Sequence, residues 1–309
     1  MKQIRRTHCK RSNIALALVL GLFFAVPAKA QNNVVYESKG VKFYQSEHVD
    51  FYHWQDIEDE SQIKYLAHVV DQVERSHRFL SSYLGHTLSK RPNIVFYRTQ
   101  STFTSTYIIG GHGVSEGVLA FALPTGHLLE EYVLAIKLDQ SLKEYDATIT
   151  HEMAHIFQFD MGPGVWDRLL KRESGPPWWI MEGGAVFLAQ VYNSSRTDDL
   201  REDIRRGAGA NPEKDLPTWF DLNQEMADPY TFGAMTLRFI EEKYGEDVVK
   251  KFLVRAFQDG EDLIEVLAEL TKGAVRSPEQ FDEAQRDFWR EKFGPEMFAK
   301  PRPYQENEY

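Results

Sequence analysis

The twelve residues from Thr148 to Phe159, Thr-Ile-Thr-His-Glu-Met-Ala-His-Ile-Phe-Gln-Phe, constrain this chain more than any other stretch. His151 and His155 stand four apart, so on a helix both imidazoles project from one face, one turn apart, where they can grip a single divalent ion. Glu152 follows the first histidine directly and can reach a water on that ion without binding the ion itself. With ten His and 27 Glu in 309 residues, a chance His-Glu-x-x-His arises with a probability of roughly 0.03. The surrounding residues therefore have to decide what the motif means.

The ends of the helix are legible. Ser141-Leu-Lys-Glu144 has the pattern of a capping box, and Gly162-Pro163-Gly164 stops the helix about five turns later. Both histidines fall in mid-helix, where the backbone is most rigid. Two core histidines can also be satisfied by hydrogen bonds alone. A zinc site needs a third protein ligand and, to be catalytic, an open position for water. The metzincin closure would put a glycine three residues past His155 and a ligand six past it. Those positions are Gln158 and Met161, so that closure fails. Asp160 reads as an exposed residue at the helix C-terminus.

The better third ligand lies beyond the loop 162–177. From Pro176-Pro177, a helix lead-in, the chain continues Trp-Trp-Ile-Met-Glu-Gly-Gly-Ala-Val-Phe-Leu-Ala-Gln. On a helix Glu182 shares a face with Ala185, Val186 and Ala189. A carboxylate on such an apolar face is costly unless it is paired or on a metal; an ordinary ion pair with a distant Arg or Lys is the alternative. Gly183 and Gly184 each cost about 1 kcal/mol in a helix interior relative to Ala. Close approach to the metal helix is the expected compensation.

His-Glu-Met-Ala-His followed by Pro-Trp-Trp-Ile-Met-Glu-Gly-Gly-Ala resembles the gluzincin, or peptidase MA-like, zinc metallopeptidases. The likeness extends more loosely from about residue 41 to Phe293. It implies one Zn2+ per chain held by His151, His155 and Glu182, with Glu152 as general base. It also implies a peptide or protein substrate lying along an edge strand, Tyr132 to Leu138. Tyr230 matches a tyrosine that in some relatives helps stabilise the oxyanion; plain aromatic packing is the competing account. Such enzymes often carry one glycine after the ligand Glu, where this chain has two. The implied activity is hydrolysis of peptide bonds by metal-activated water. A non-catalytic peptidase-like binding module, or an amidase acting on cell-wall peptides, are the alternatives. Retention of Glu152 favours an enzyme, since binding alone needs no base.

Upstream, Val34 to Trp54 alternates as a hairpin does, and an apolar stripe from Ile63 to Leu84 describes a helix ended by Gly85. Its His68 and His77 read as solvated or packing residues. Asn93 to Tyr97 reads as a buried strand, and Gly117 to Leu123 pairs with Tyr132 to Leu138. Thr99 to Gly113 reads as loop. Downstream, Arg196 to Arg206 is a charged, solvated helix and Asn211 to Leu222 a surface loop. Tyr230 to Gly245 is a helix led by Asp228-Pro229. Val248 to Phe257, Leu263 to Leu270 and Phe281 to Phe293 repeat apolar residues at helical spacing. The expected fold is α+β and zincin-like: a small mixed sheet packed on the metal helix, then a mainly helical C-terminal lobe.

Residues 1–30 read as a cleaved secretory signal. Basic residues precede the uncharged run Ile14 to Val26, and Ala28-Lys29-Ala30 offers a cleavage site. The 13-residue run is too short to span a bilayer comfortably. The expected divisions are therefore the signal at 1–30, a catalytic region at 31–195, a helical lobe at 196–299 and a loose tail at 300–309. Cys9 falls within the signal, so the mature chain has no thiolate, and only His and carboxylate can hold metal. The signal removes six of the 36 basic residues, leaving 30 against 46 acidic ones, a formal charge of −16. That argues against nucleic acid or anionic membrane surfaces as partners. The expected compartment is periplasmic or extracellular.

Overall fold

The computed structural model describes residues 41–54, 60–97, 103, 120–125, 131–137, 142–162, 176–193, 216–224, 227–258 and 261–293. The expected signal segment, most of the loop 99–113, nearly all of the loop after Gly162, the charged segment 196–206 and the tail lie outside them.

Among the described residues five strands form one mixed sheet: β1 (Val41–Gln45), β2 (Asp50–Trp54), β3 (Asn93–Tyr97), β4 (Ala120–Thr125) and β5 (Glu131–Lys137), in the order β1-β2-β3-β5-β4. β1 and β2 form the expected hairpin, closed by Ser46 N–H donating to the Val49 carbonyl at 3.0 Å. β2, β3 and β5 run parallel, and β4 returns antiparallel to β5 with Ala122 opposite Leu134. All five residues of β3 are buried, which is why Asn-Ile-Val-Phe-Tyr is a continuous apolar run with no alternation: a central parallel strand is covered on both faces. The order corrects one expectation. The strand from Tyr132 lies inside the sheet, between β3 and β4, and among the described residues β4 is the outer strand on that side.

Helix α1 (Glu60–Leu84) and helix α2 (Leu142–Met161) pack against each other, and α2 also covers β4 and β5. Ile149, Met153, Ile156 and Phe157 are fully buried and recur at three- and four-residue steps, the stripe that an amphipathic helix turns to a core. α1 ends where Gly85 enters the left-handed region, φ +63°, letting His86 N–H reach back to the Ser81 carbonyl at 3.1 Å. The loop that follows is fastened to the last turn of α2. Asp160 meets His86 Nε2 at 2.6 Å and accepts from Ser89 N–H at 3.0 Å, and its side chain is only 2 % exposed. Asp160 is thus a buried lock on α2. The exposed residue expected there depended on the helix end alone, without the loop that covers it.

Helix α3 (Trp178–Tyr192) starts at the Pro177 lead-in and lies between α2 and a later helix over Pro229–Tyr244. α4 (Trp219–Asn223) occupies the end of a stretch expected to be loop. Thr218 and Asp221 form a reciprocal capping box, and Trp219 and Leu222 are buried. α5 (Pro229–Tyr244) is capped as expected, Asp228 accepting from the N–H groups of Tyr230 and Thr231 and Gly245 following at φ +104°. α6 (Glu246–Gln258), α7 (Leu263–Leu270) and α8 (Pro278–Phe293) complete a helical layer around Phe239, Phe252, Leu267, Phe281 and Trp289, all fully buried. The architecture is α+β. No helix among the described residues is long and apolar enough to cross a membrane.

Candidate metal centre

α2 presents His151 and His155 one turn apart on the side facing α3, and α3 presents Glu182 opposite them. The three donor atoms form a nearly equilateral triangle. His151 Nε2 and His155 Nε2 are 3.1 Å apart, and Glu182 Oε2 lies 3.4 Å from the first and 3.3 Å from the second. Four ligands placed tetrahedrally at the ~2.0–2.1 Å typical of zinc–nitrogen and zinc–oxygen bonds lie about 3.3–3.4 Å from one another. The triangle has that size, and its two imidazole nitrogens and one carboxylate oxygen are a donor set that zinc accepts. Between 10 and 17 % of each of these side chains is exposed, so solvent reaches the group, and a catalytic zinc site needs such access.

Neither the known family models nor the curated proteins include a match to this sequence. Solved structures with a similar chain path include a two-domain M1 zinc metallopeptidase mutant bound to L-arginine, at a TM-score of 0.49 and 15 % identity. That match covers 81 % of this chain and 51 % of the other. Another is an M1 zinc metallopeptidase from Deinococcus radiodurans, at a TM-score of 0.47 and 15 % identity, covering 80 % of this chain and 51 % of that one. The chain spans about half the length of these proteins. Likeness at this level says nothing of activity, and what the chain can do follows from its own residues.

Glu152 lies beside the triangle. Burial raises its carboxyl above the ordinary range, against the opposing pull of the two imidazoles and of the Ala122 backbone N–H that it accepts. That amide belongs to β4, so the edge strand positions the carboxylate, a contribution that no side-chain motif could have disclosed. Burial works against the charges of His155 and Glu182, yet their mutual attraction prevails. His155 is pushed up to about 9, and Glu182 is held well below the usual carboxylate range.

Tyr230, at the start of α5, stands over the same group. Its ring stacks on His151 with centroids 6.1 Å apart and planes at 17°. Burial first, then the carboxylates of Glu182 and Glu152, raises its hydroxyl further above its ordinary value. The residue is nevertheless 47 % exposed. It is therefore a half-exposed residue beside His151, and not part of the core.

The two glycines after Glu182 have different neighbours. A Cβ on Gly183 would lie 2.5 Å from Gly233 Cα, and one on Gly233 would lie 2.5 Å from the Trp179 carbonyl oxygen. The close approach is therefore between α3 and α5, where an approach to the metal helix was expected. Gly184 is the glycine turned towards α2, with Gln158 Nε2 at 3.4 Å from the position of a Cβ.

A second group with metal-binding residue types, Glu47, His48 and Glu74, is already neutralised from within. Glu74 accepts from His48 N–H at 2.9 Å and from the Ser46 hydroxyl, and meets His48 Nδ1 at 2.7 Å. The Arg78 guanidinium stands 3.8 Å from Glu74 and 3.7 Å from Glu47. This is a lock on the β1–β2 turn, with a cation built in. His68 likewise meets Asp146 at 3.2 Å.

His77, which stacks on His48 with centroids 4.3 Å apart, carries a pH-dependent share of stability. Burial, with the nearby His48, Arg78 and Arg91 charges, outweighs the pull of Glu74 and lowers it from 6.5 to about 4. Between those values the unfolded chain binds a proton that the folded chain refuses. The contribution is therefore fully present above about pH 6.5 and is lost as pH falls towards about 4, at up to ~1.4 kcal/mol per pH unit. Urea midpoints at pH 7 and pH 5 should differ less in His77→Phe than in the parent. An equal difference in both would remove His77 as the source.

Proposed function

We propose that this chain is a secreted, zinc-dependent metallopeptidase of gluzincin type and zincin-like fold, hydrolysing peptide bonds in peptide or protein substrates. The observation that carries the reading is the triangle of His151, His155 and Glu182 with Glu152 held beside it. His151, His155 and Glu182 would hold the ion, which when bound supplies Lewis acidity towards the scissile carbonyl and acidifies water at the site.

The remaining chemistry is done by the chain. Glu152 takes a proton from the attacking water as the water oxygen bonds to the carbonyl carbon. It then passes that proton to the leaving nitrogen as the C–N bond breaks, giving a carboxylic acid and an amine, between which the acid's proton moves to leave a carboxylate and an ammonium group. The Ala122 N–H keeps the carboxylate aimed during both transfers. Tyr230, a phenol that stays protonated at any neutral working pH, reaches over His151 and can donate to the oxygen that gains charge.

Substrate backbone has a place to lie. Because Ala122 N–H turns away from β5 towards Glu152, Ala120 and Pro124 share its outward orientation in the antiparallel alternation. Pro124 lacks an N–H and stands at an outward position where the sheet needs none. With the Ala122 N–H taken by Glu152 and no N–H on Pro124, this edge offers an extended peptide the Ala120 N–H and the outward carbonyls of Ala120, Ala122 and Pro124, next to the base.

Export rests on residues 1–30, whose basic start, apolar run and Ala-Lys-Ala ending support a cleaved signal and hydrolysis in the periplasm or outside the cell. The binding-module reading leaves the hold on Glu152 without a purpose.

The test combines metal analysis with hydrolysis of protein substrates and of cell-wall peptides by the purified chain. About one zinc per chain is expected, with proteins cleaved in preference. Glu182→Ala should weaken zinc binding by more than the ~10–100-fold cost of losing an outer-shell partner. Unchanged zinc content in that variant would sink Glu182 as a ligand, and cleavage of cell-wall peptides alone would replace the peptidase with an amidase.

A further inference from the structure

Gln158 lies three residues after His155 on α2 and is fully buried. Its Oε1 is 2.7 Å from His155 Nδ1, and its Nε2 donates to the main-chain carbonyl of Met181 in α3 at 2.9 Å. The polarity of this chain of bonds is fixed from one end. The Met181 carbonyl can only accept, so the amide group facing it must be the NH2, and the amide oxygen must face the imidazole. That oxygen can only accept in turn, so the proton of a neutral His155 sits on Nδ1 and its lone pair on Nε2. Nε2 is the atom 3.1 Å from His151 Nε2 and 3.3 Å from Glu182 Oε2.

The other end of the same side chain grips the residue next to Glu182. Gln158 therefore orients one ligand and anchors the helix that carries another. The second glycine fits this arrangement. The Cβ position of residue 184 lies 3.4 Å from Gln158 Nε2, an ordinary packing distance, so α3 sits directly against the Gln158 amide.

We propose that Gln158 is the positioning residue of the metal centre, selecting the His155 tautomer that can ligate and fixing α3 against α2 so that Glu182 meets it. This inference rests on the reading of His151, His155 and Glu182 as ligands. It assigns Gln158 no contact with substrate or with the ion.

The experiment measures zinc affinity of the full chain by competition with a chromophoric chelator, in the parent, Gln158→Met and Gln158→Glu. Gln158→Met keeps the length but neither bond, and should weaken zinc binding by ~10–100-fold, the usual cost of losing such a partner. Gln158→Glu keeps the acceptor for Nδ1–H and loses only the donor to the Met181 carbonyl, so it should bind zinc within about tenfold of the parent. Parent-like affinity in Gln158→Met overturns the proposal, and so does an equal loss in both variants. If Gln158→Met fails to fold, Gln158→Glu decides by itself, retained affinity supporting the assignment and a large loss overturning it. A parent that binds no zinc overturns the ligand reading itself, which separates that failure from a failure of Gln158.

Discussion

Glu152→Gln is expected to keep about one zinc per chain while hydrolysis falls by ~10²–10⁴-fold, the usual contribution of a positioned general base. The change is nearly isosteric, and the amide oxygen can still accept from Ala122 N–H, so neither the packing nor the triangle of His151, His155 and Glu182 has cause to shift. What disappears is the lone-pair charge that receives a proton from water. Metal analysis and kcat/KM on one peptide substrate read the two outcomes separately. Full turnover in Glu152→Gln removes the mechanism, whereas loss of zinc along with activity would show that Glu152 is a ligand.

Gly183→Ala is expected to strike the fold and the site together. Its Cβ would meet Gly233 Cα at 2.5 Å, the Gly233 carbonyl carbon at 2.6 Å and Ala234 N at 2.8 Å. All three are main-chain atoms on a helix, so no side chain can rotate aside and α3 must move away from α5. Overpacking of this kind costs about 1–3 kcal/mol or more. Because Glu182 is the adjacent residue, the displacement also carries the carboxylate out of the triangle. The melting temperature should drop by several degrees and zinc affinity should fall with it. Gly184→Ala is the internal control, since its nearest neighbours are the side chains of Gln158, Phe257 and Leu253 at 3.4–3.6 Å, which can yield by a few tenths of an ångström. Equal stability of Gly183→Ala and the parent would refute the close helix crossing.

The parts of this molecule that were legible in the sequence are those governed by local rules. His151 and His155 share a face because an α-helix repeats every 3.6 residues. Asp228-Pro229, Gly245 and Gly85 mark helix ends because capping depends on a few adjacent residues. The unbroken apolar run of β3 announced burial on both faces. α4 shows the limit of such reading. The prolines at 212 and 217 argued for a loop, and the Thr218–Asp221 capping box, equally local, outweighed them over five residues.

The sequence by itself therefore determined the residue types of the site, their spacing on α2 and the elements that carry them. Tertiary structure decided their relations: that β4, not β5, is the outer strand on that side of the described sheet; that Asp160 is buried against the loop after α1; that Gly183 answers to α5; and that Gln158 reaches Met181 of α3. Each of these joins residues far apart along the chain, where helical period, strand alternation and capping carry no information. The triangle His151–His155–Glu182 stands at the boundary between the two. Its first side follows from one turn of α2, and its other two exist only because α3 is packed closely between α2 and α5.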